Sequence, residues 1–118
     1  MAMYEWRSFN GKQYLFIDHG GTEEETLQNI TKVIDLITKS GKKDLLILAD
    51  TEKSYGTSKV LEAVNNLGKT LKPYTKRWAV TGVTGVKKIL LKTFNTLTGG
   101  IAIPFDSEKQ ALEYLFKD

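Results

Sequence analysis

Several residue types that carry chemistry in proteins are missing or scarce in this sequence. Its 118 residues include no cysteine and a single histidine, His19. The absence of cysteine excludes disulfides, thiolate nucleophiles and cysteine-ligated zinc, and one histidine cannot form a histidine-rich metal cluster. We therefore expect neither a metal site nor a cofactor.

Long hydrophobic runs are also missing. No apolar stretch approaches the roughly 20 residues of a membrane-spanning helix, and residues 1–6 lack the apolar segment of a signal peptide. We therefore expect no membrane insertion and a cytoplasmic location. A chain of this length buries roughly two-thirds of the surface that its unfolded form exposes, which is enough for one core. We predict a single domain over residues 1–118.

Acidic residues are absent from the middle of the chain. Residues 63–105 contain seven lysines or arginines and no aspartate or glutamate, whereas residues 1–62 and 106–118 each carry a net charge of −2. One interpretation is a positive patch that faces an acidic partner or an anion; the other is that these lysines only solvate two helix faces. The aromatic residues do not alternate with the lysines as a base-stacking surface requires, so we expect no nucleic-acid binding.

The spacing of apolar residues predicts the element order ββαβαβαβα. Two strand-like runs flank Asn10-Gly11, which is typical of a hairpin and makes the first strand antiparallel. Residues 45–49 are continuously apolar between two aspartates, as in a central parallel strand that is covered on both faces. This alternation of strands and helices indicates an α/β domain with a mostly parallel central sheet.

Helix boundaries and faces also follow from local patterns. Thr22 and Glu25 fit a capping box at the start of the first helix, Gly41 suits its end, and Asp106 or Ser107 is expected to cap the last helix. In the third helix we expect one stripe of apolar residues to pack on the sheet. Its members are Val86, Ile89, Leu90, Phe94 and Leu97.

Loops at the carboxyl ends of parallel strands meet at one edge of a sheet, where α/β proteins normally bind ligands. The first candidate is the glycine-bracketed turn after the fourth strand, with the lysines that follow it. Glycines allow a ligand to approach the backbone closely, and free N–H groups at a helix start favour an anion. The turn lacks a Walker motif and a full dinucleotide fingerprint, so an ordinary strand–helix turn is the alternative. The candidate residues are Thr81, Gly82, Thr84, Gly85, Lys87 and Lys88.

A second candidate is the loop after the central strand. A strand-end aspartate can orient a ligand or bind a cation, and a phosphate on a hydroxyl at a helix start would be stabilised by the helix dipole. The alternative is a set of ordinary turn and cap residues. The candidate residues are Asp50, Ser54, Tyr55, Thr57 and Ser58.

A third loop contains the neighbouring pair Asp18 and His19. Neighbouring residues at a strand end point in opposite directions, and no recognisable nucleophile accompanies this pair. We therefore expect no catalytic residues. An enzyme would require the side chains of Asp18, His19 and Asp50 to converge.

Three segments of the sequence, given at the end of this paragraph, together resemble the STAS-like superfamily, the domain of bacterial anti-sigma-factor antagonists. The resemblance is closer to a group of small bacterial STAS and CRAL-TRIO-like proteins. The resemblance covers nearly the whole chain and implies a βα superhelical fold and a regulatory or binding role rather than catalysis. In such antagonists a phosphorylatable serine lies in an Asp-Ser-Ser-Gly turn; that motif is absent here, and Thr57 or Ser58 stands at the corresponding position. The segments are GKKDLLILAD (41–50), AVTGVTGVKK (79–88) and PFDSEKQALEYL (104–115).

The resulting hypothesis is a non-enzymatic binding module. Its strand-end edge would bind a protein partner or a small anionic or nucleotide ligand, and a homodimer is left open. The alternative is a carrier of a lipid or another apolar small molecule, by analogy with CRAL-TRIO domains. That alternative requires a cavity lined by apolar helix faces.

Overall fold

A computed structural model describes residues 2–54, 57–85 and 87–117. Within them, five strands form one sheet in the order β1-β2-β3-β4-β5. The strands are Met3–Phe9 (β1), Lys12–Asp18 (β2), Leu45–Asp50 (β3), Thr75–Thr81 (β4) and Ala102–Phe105 (β5). The helices are Glu23–Ser40 (α1), Ser58–Leu71 (α2), Lys87–Thr98 (α3) and Glu108–Leu115 (α4), and a 3-10 turn, Lys72–Tyr74, precedes β4.

The sheet has the mixed direction that the sequence predicts. β1 and β2 pair antiparallel across Asn10 and Gly11, whose φ angles of 51° and 78° are those of a tight hairpin turn. The other neighbouring strands pair in parallel. The predicted α/β fold class and the antiparallel first strand are therefore confirmed.

The two faces of the sheet are covered unequally. On one face, Leu15 and Ile17 of β2 and Trp78 of β4 belong to a large core that also contains buried side chains of α1, α2 and α3. On the other face, Tyr14 and Phe16 of β2 belong to a smaller core that is closed by α4. β2 is apolar on both sides because it lies inside the sheet between two layers of helices.

Local capping determines where the helices begin and end. The Thr22 hydroxyl accepts from the Glu25 N–H and the Glu25 carboxylate accepts from the Thr22 N–H, both at 3.1 Å, which confirms the capping box. Gly41 ends α1 with a φ of 70°, and the Ser107 hydroxyl caps α4 by accepting from a backbone N–H. These ends were predictable because each depends on residues close in sequence.

The predicted buried stripe of α3 is partly wrong. Ile89 and Leu97 are 67% and 47% exposed, whereas Phe94 and Thr98 are buried. Apolar residues surround more than half of this helix, so their spacing does not define which arc faces the sheet. Val86 lies outside the described residues.

The buried arc of α3 is determined by its contact with α2. A Cβ atom on Gly68 of α2 would overlap a ring carbon of Phe94. The missing side chain lets the Phe94 ring pack directly against α2.

In the described part of the chain, no helix combines the length and the apolar character needed to cross a membrane.

Candidate functional site

The carboxyl ends of β2, β3 and β4 are joined by hydrogen bonds that extend just beyond the strands. The His19 N–H donates to the Asp50 carbonyl at 3.0 Å. The Thr51 N–H and hydroxyl both donate to the Thr81 carbonyl, each at 2.9 Å. The first residues of three loops are therefore held next to one another at this edge.

The two glycines of the β4–α3 turn have different roles. Gly82 has a φ of 78°, and a Cβ atom there would lie only 2.5 Å from the backbone nitrogen of Glu52. Gly85 has a φ of 57°, and no described atom beyond its chain neighbours lies within 4 Å of its missing Cβ. The close approach that Gly82 allows is therefore occupied by the backbone of the β3–α2 loop.

Lys87 connects α3 to the same loop. Its ammonium donates to the carbonyl oxygen of Thr51 at 2.6 Å and to that of Glu52 at 2.8 Å. Lys88, the next residue, is exposed. The two lysines predicted as anion-binding groups thus differ, because the first is bound to backbone carbonyls and the second faces solvent.

The carboxylates at this edge shape turns. Asp18 Oδ1 accepts from the Gly20 N–H at 2.8 Å, and Asp50 Oδ1 accepts from the Glu52 N–H at 2.9 Å. Aspartate side chains commonly stabilise turns by bonding a backbone group two residues on. Residues 2–54, 57–85 and 87–117 contain no group of three His, Asp or Glu side chains placed to hold a metal ion.

The hydroxyl residues of the β3–α2 loop are also part of local structure. Ser54 donates its hydroxyl to the Thr51 carbonyl at 2.9 Å, and the Thr57 hydroxyl accepts from the Val60 N–H as the N-cap of α2. Ser58 is exposed at the first position of that helix, and Tyr55 lies outside the described residues.

Apart from Tyr55, which is not described, and Thr57, which caps α2, the predicted candidates therefore fall into two groups. Those brought into the bonded loop cluster are Asp50, Ser54, Thr81, Gly82 and Lys87. Those left at the solvent-facing surface are Ser58, Thr84, Gly85 and Lys88.

A cavity of about 90 Å³, partly open to solvent, lies beneath this loop cluster, between the sheet, α2 and α3. Its walls are mainly apolar and include Trp78 and Phe94, whose rings meet edge to face with centroids 5.7 Å apart. Thr51, Ser54 and Lys87 add polar atoms to the lining. The cavity therefore combines an aromatic interior with polar groups supplied by the loop cluster.

His19 also lines this cavity and is 3% exposed. Its Nδ1 atom is buried and has no hydrogen-bond partner among the described residues. Burial lowers the pKa of His19 from 6.5 to about 4, although the nearby carboxylates of Asp18 and Asp50 oppose the change. The imidazole is therefore neutral at pH 7.

Sequence reasoning missed the importance of His19. The sequence indicated only a neighbouring Asp–His pair without a nucleophile. The sequence does contain an indication that His19 is buried, because this only histidine directly follows a strand that is apolar on both faces. A polar ring in that position is carried into the interior and needs a partner there.

The same arrangement of strands and helices occurs in a crystal structure of an uncharacterised protein of the DUF3478 family, which has a SpoIIAA-like fold and comes from Shewanella loihica PV-4. The TM-score is 0.75, and the match covers 98% of this chain and 95% of that one at 18% identity. No family model matches the sequence, and no curated protein matches it either. A likeness at this identity establishes the fold alone, so the chain has the SpoIIAA-like, or STAS-like, fold that the sequence resemblance implied.

Proposed function

Given a SpoIIAA-like fold, we propose that this chain is a non-enzymatic binding module whose outer α3 face docks an acidic protein surface. One observation carries the proposal. α3 exposes two large apolar side chains, Ile89 and Leu97, and also carries the exposed lysines Lys88 and Lys92. The helix lies in the stretch of residues 63–105 that has no acidic residue at all.

The geometry of α3 supports a single contact surface. Ile89 and Lys92 lie at helical positions i and i+3 on the side away from the buried Phe94. Leu97, three residues after Phe94, lies at the edge of this face beside α2. The hydroxyls of Thr93 and Thr96, between them, donate to carbonyls one turn back in the helix. This face thus presents apolar side chains and positive charge.

An acidic, partly apolar protein surface complements this face better than a small anion does. Apolar anchors supply binding energy at interfaces, and complementary charge supplies orientation and speed of association. A small anion at the glycine turn would instead have to compete with the Thr51 and Glu52 carbonyls for the Lys87 ammonium. The small-anion version of the sequence hypothesis is accordingly the weaker one.

A binding role also agrees with the state of the polar groups at the strand-end edge. The carboxylates of Asp18 and Asp50 each accept from a backbone N–H of their own turn, and the ring of His19 is buried. Acid–base catalysis needs such groups within hydrogen-bond reach of a substrate. Their engagement in turns and in the interior supports binding rather than catalysis.

The test uses a synthetic amphipathic helical peptide of leucine and glutamate as the acidic partner, and the same peptide with glutamine in place of glutamate. We expect the acidic peptide to bind with an affinity that weakens as salt is added, because screening reduces attraction between exposed charges. Lys88→Glu/Lys92→Glu and Ile89→Ser/Leu97→Ser should each weaken binding about tenfold or more, measured by fluorescence anisotropy.

The matched control is Lys12→Glu/Lys32→Glu, which makes the same change in net charge at two exposed lysines outside α3. It should bind the acidic peptide nearly as well as the unmodified chain does. Equal weakening by both charge reversals would show non-specific attraction and contradict the proposal. So would equal binding of the acidic and glutamine peptides.

A further inference from the structure

The geometry of this cavity points to a second, independent site: we propose that it binds a compact, neutral, mainly apolar molecule that carries one hydrogen-bonding group, which pairs with His19. The site lies on the inner side of α3, between that helix, α2 and the sheet. It does not depend on the outer face of α3, so either proposal can fail without the other.

The volume of the cavity limits the size of its occupant. A space of about 90 Å³ corresponds to roughly three water molecules at liquid density. At the packing density of protein interiors, it limits an occupant to about four to six non-hydrogen atoms. The cavity is partly open to solvent, so this volume limits only the part of an occupant that lies inside it. It is too small to enclose a lipid chain.

The walls of the cavity favour an apolar occupant. β4 and α3 contribute the aromatic rings of Trp78 and Phe94, and α2 contributes Val60 and Val64. Such walls favour a flat, apolar molecule because they offer it dispersion contacts and ring stacking. Water would find few partners along them, and a buried water typically needs two to four.

A nitrogen of the His19 ring lacks a hydrogen-bond partner among the described residues. A neutral imidazole offers one N–H donor and one acceptor, and a buried polar atom without a partner is unfavourable. His19 Nδ1 is such an atom in the described part of the chain, on a residue that lines the cavity. A ligand with both a donor and an acceptor can pair with either tautomer of the ring.

The test compares two planar five-membered aromatic rings of similar size. Pyrazole has an adjacent N–H donor and nitrogen acceptor, whereas thiophene has no comparable group. His19 is the only histidine in the chain, so its ring signals in an NMR spectrum are unambiguous. We expect pyrazole to shift them saturably and to bind about five- to tenfold more tightly than thiophene, the effect of one hydrogen bond to a buried nitrogen.

Two variants separate the hydrogen bond from the cavity. In His19→Phe the preference for pyrazole over thiophene should disappear, as followed by the methyl signals of Leu91. Val64→Phe places a ring in the cavity and should abolish binding of both molecules. Ile34→Phe is the matched control, because Ile34 is partly buried on α1 and does not line the cavity.

Results on the unmodified chain alone decide the matter if a variant does not fold. Absence of a saturable shift with either ring would mean that the cavity binds neither molecule, and it would overturn the proposal. Equal affinity for pyrazole and thiophene would overturn the role of His19. A pyrazole preference that survives in His19→Phe would do the same.

Discussion

At the scale of single residues, burial of one ionisable ring links the stability of this fold to pH. His19 is neutral in the folded chain because burial lowers its pKa to about 4, against 6.5 for an exposed histidine. The position follows from β2, whose apolar residues on both faces carry the next residue inward. The surroundings of the ring come from α2 and α3, which lie far away in sequence.

We predict that the free energy of unfolding falls as the pH is lowered from 6.5 to about 4. Over that range the unfolded chain binds a proton at His19 that the folded chain does not bind. The free energy of unfolding therefore decreases by about 3 kcal/mol in total. Urea unfolding at several pH values measures this slope, and His19→Gln should lack it. The Thr22 N–H also lowers the pKa of the Glu25 carboxylate from its ordinary value of 4.5. The stability that this provides is lost only as the pH falls near and below 4.5, so it does not affect the range above. An NMR titration of His19 with a midpoint near 6.5 would falsify the prediction.

Gly82 provides a second prediction at this scale. Gly82→Ala adds a methyl group 2.5 Å from the Glu52 nitrogen at a φ of 78°, and should destabilise the fold by about 2 kcal/mol or more. Gly85→Ala is the control: its φ of 57° adds backbone strain of about 1 kcal/mol, but its Cβ meets open space. Equal losses for the two variants in urea unfolding would argue against a close contact between the loops.

The two glycines also show where sequence reasoning ends for this site. A glycine-bracketed turn was predictable, and both glycines do adopt positive φ. The neighbour of Gly82 was not predictable, because Glu52 belongs to a loop 30 residues earlier in the chain. Space that the sequence alone assigns to a ligand is filled by another part of the backbone.

At the scale of elements, α3 has two faces with different surroundings. Its inner face packs against α2 and lines the cavity, and its outer face exposes Ile89 and Leu97. The helix itself was predictable from its spacing, as were the capped ends of α1 and α4. The arc that is buried depends on Phe94 meeting Gly68, a contact between elements that no local pattern records.

We predict that Lys87 fixes the loop between β3 and α2. Lys87→Met removes the hydrogen bonds to the Thr51 and Glu52 carbonyls and should reduce stability by about 1–3 kcal/mol, the range for bonds made by a charged donor. Hydrogen exchange of residues 51–54 should become faster at the same time. Lys88→Met changes an exposed lysine and should stay within about 0.5 kcal/mol. If exchange in the loop is the same in both variants, the lysine does not hold it.

At the scale of the whole molecule, one face of the sheet carries three of the described helices and the other carries one. α4 alone closes the smaller core, which contains Tyr14, Phe16 and Leu48. The end of α4 is attached through the Arg77 guanidinium, which donates to the carbonyls of Leu115 and Lys117 at 3.0 and 2.8 Å. The order and direction of the strands were predictable from apolar spacing and the hairpin, whereas this uneven cover was not.

We predict that a chain ending at Ser107 self-associates. Loss of α4 exposes the apolar face formed by Tyr14, Phe16 and Leu48, and large exposed apolar patches promote association. Light scattering coupled to gel filtration should show a larger mass per particle than for the full chain. Lys109→Ala/Glu113→Ala changes only exposed positions of α4 and should leave the mass unchanged. A truncated chain with the same association state as the full chain would show that α4 does not protect this face.

The strand order has a consequence for synthesis on the ribosome. Each strand pairs with the one that precedes it in the chain, from the β1–β2 hairpin to β5. A nascent chain can therefore add each new strand to an edge that already exists, with no need to wait for a later segment to fill a gap in the sheet. The hairpin emerges first and acts as a template. Of the two open edges at each stage, that of β1 remains an edge of the finished sheet, and the other is the one that the next strand to emerge covers until β5 completes the sheet.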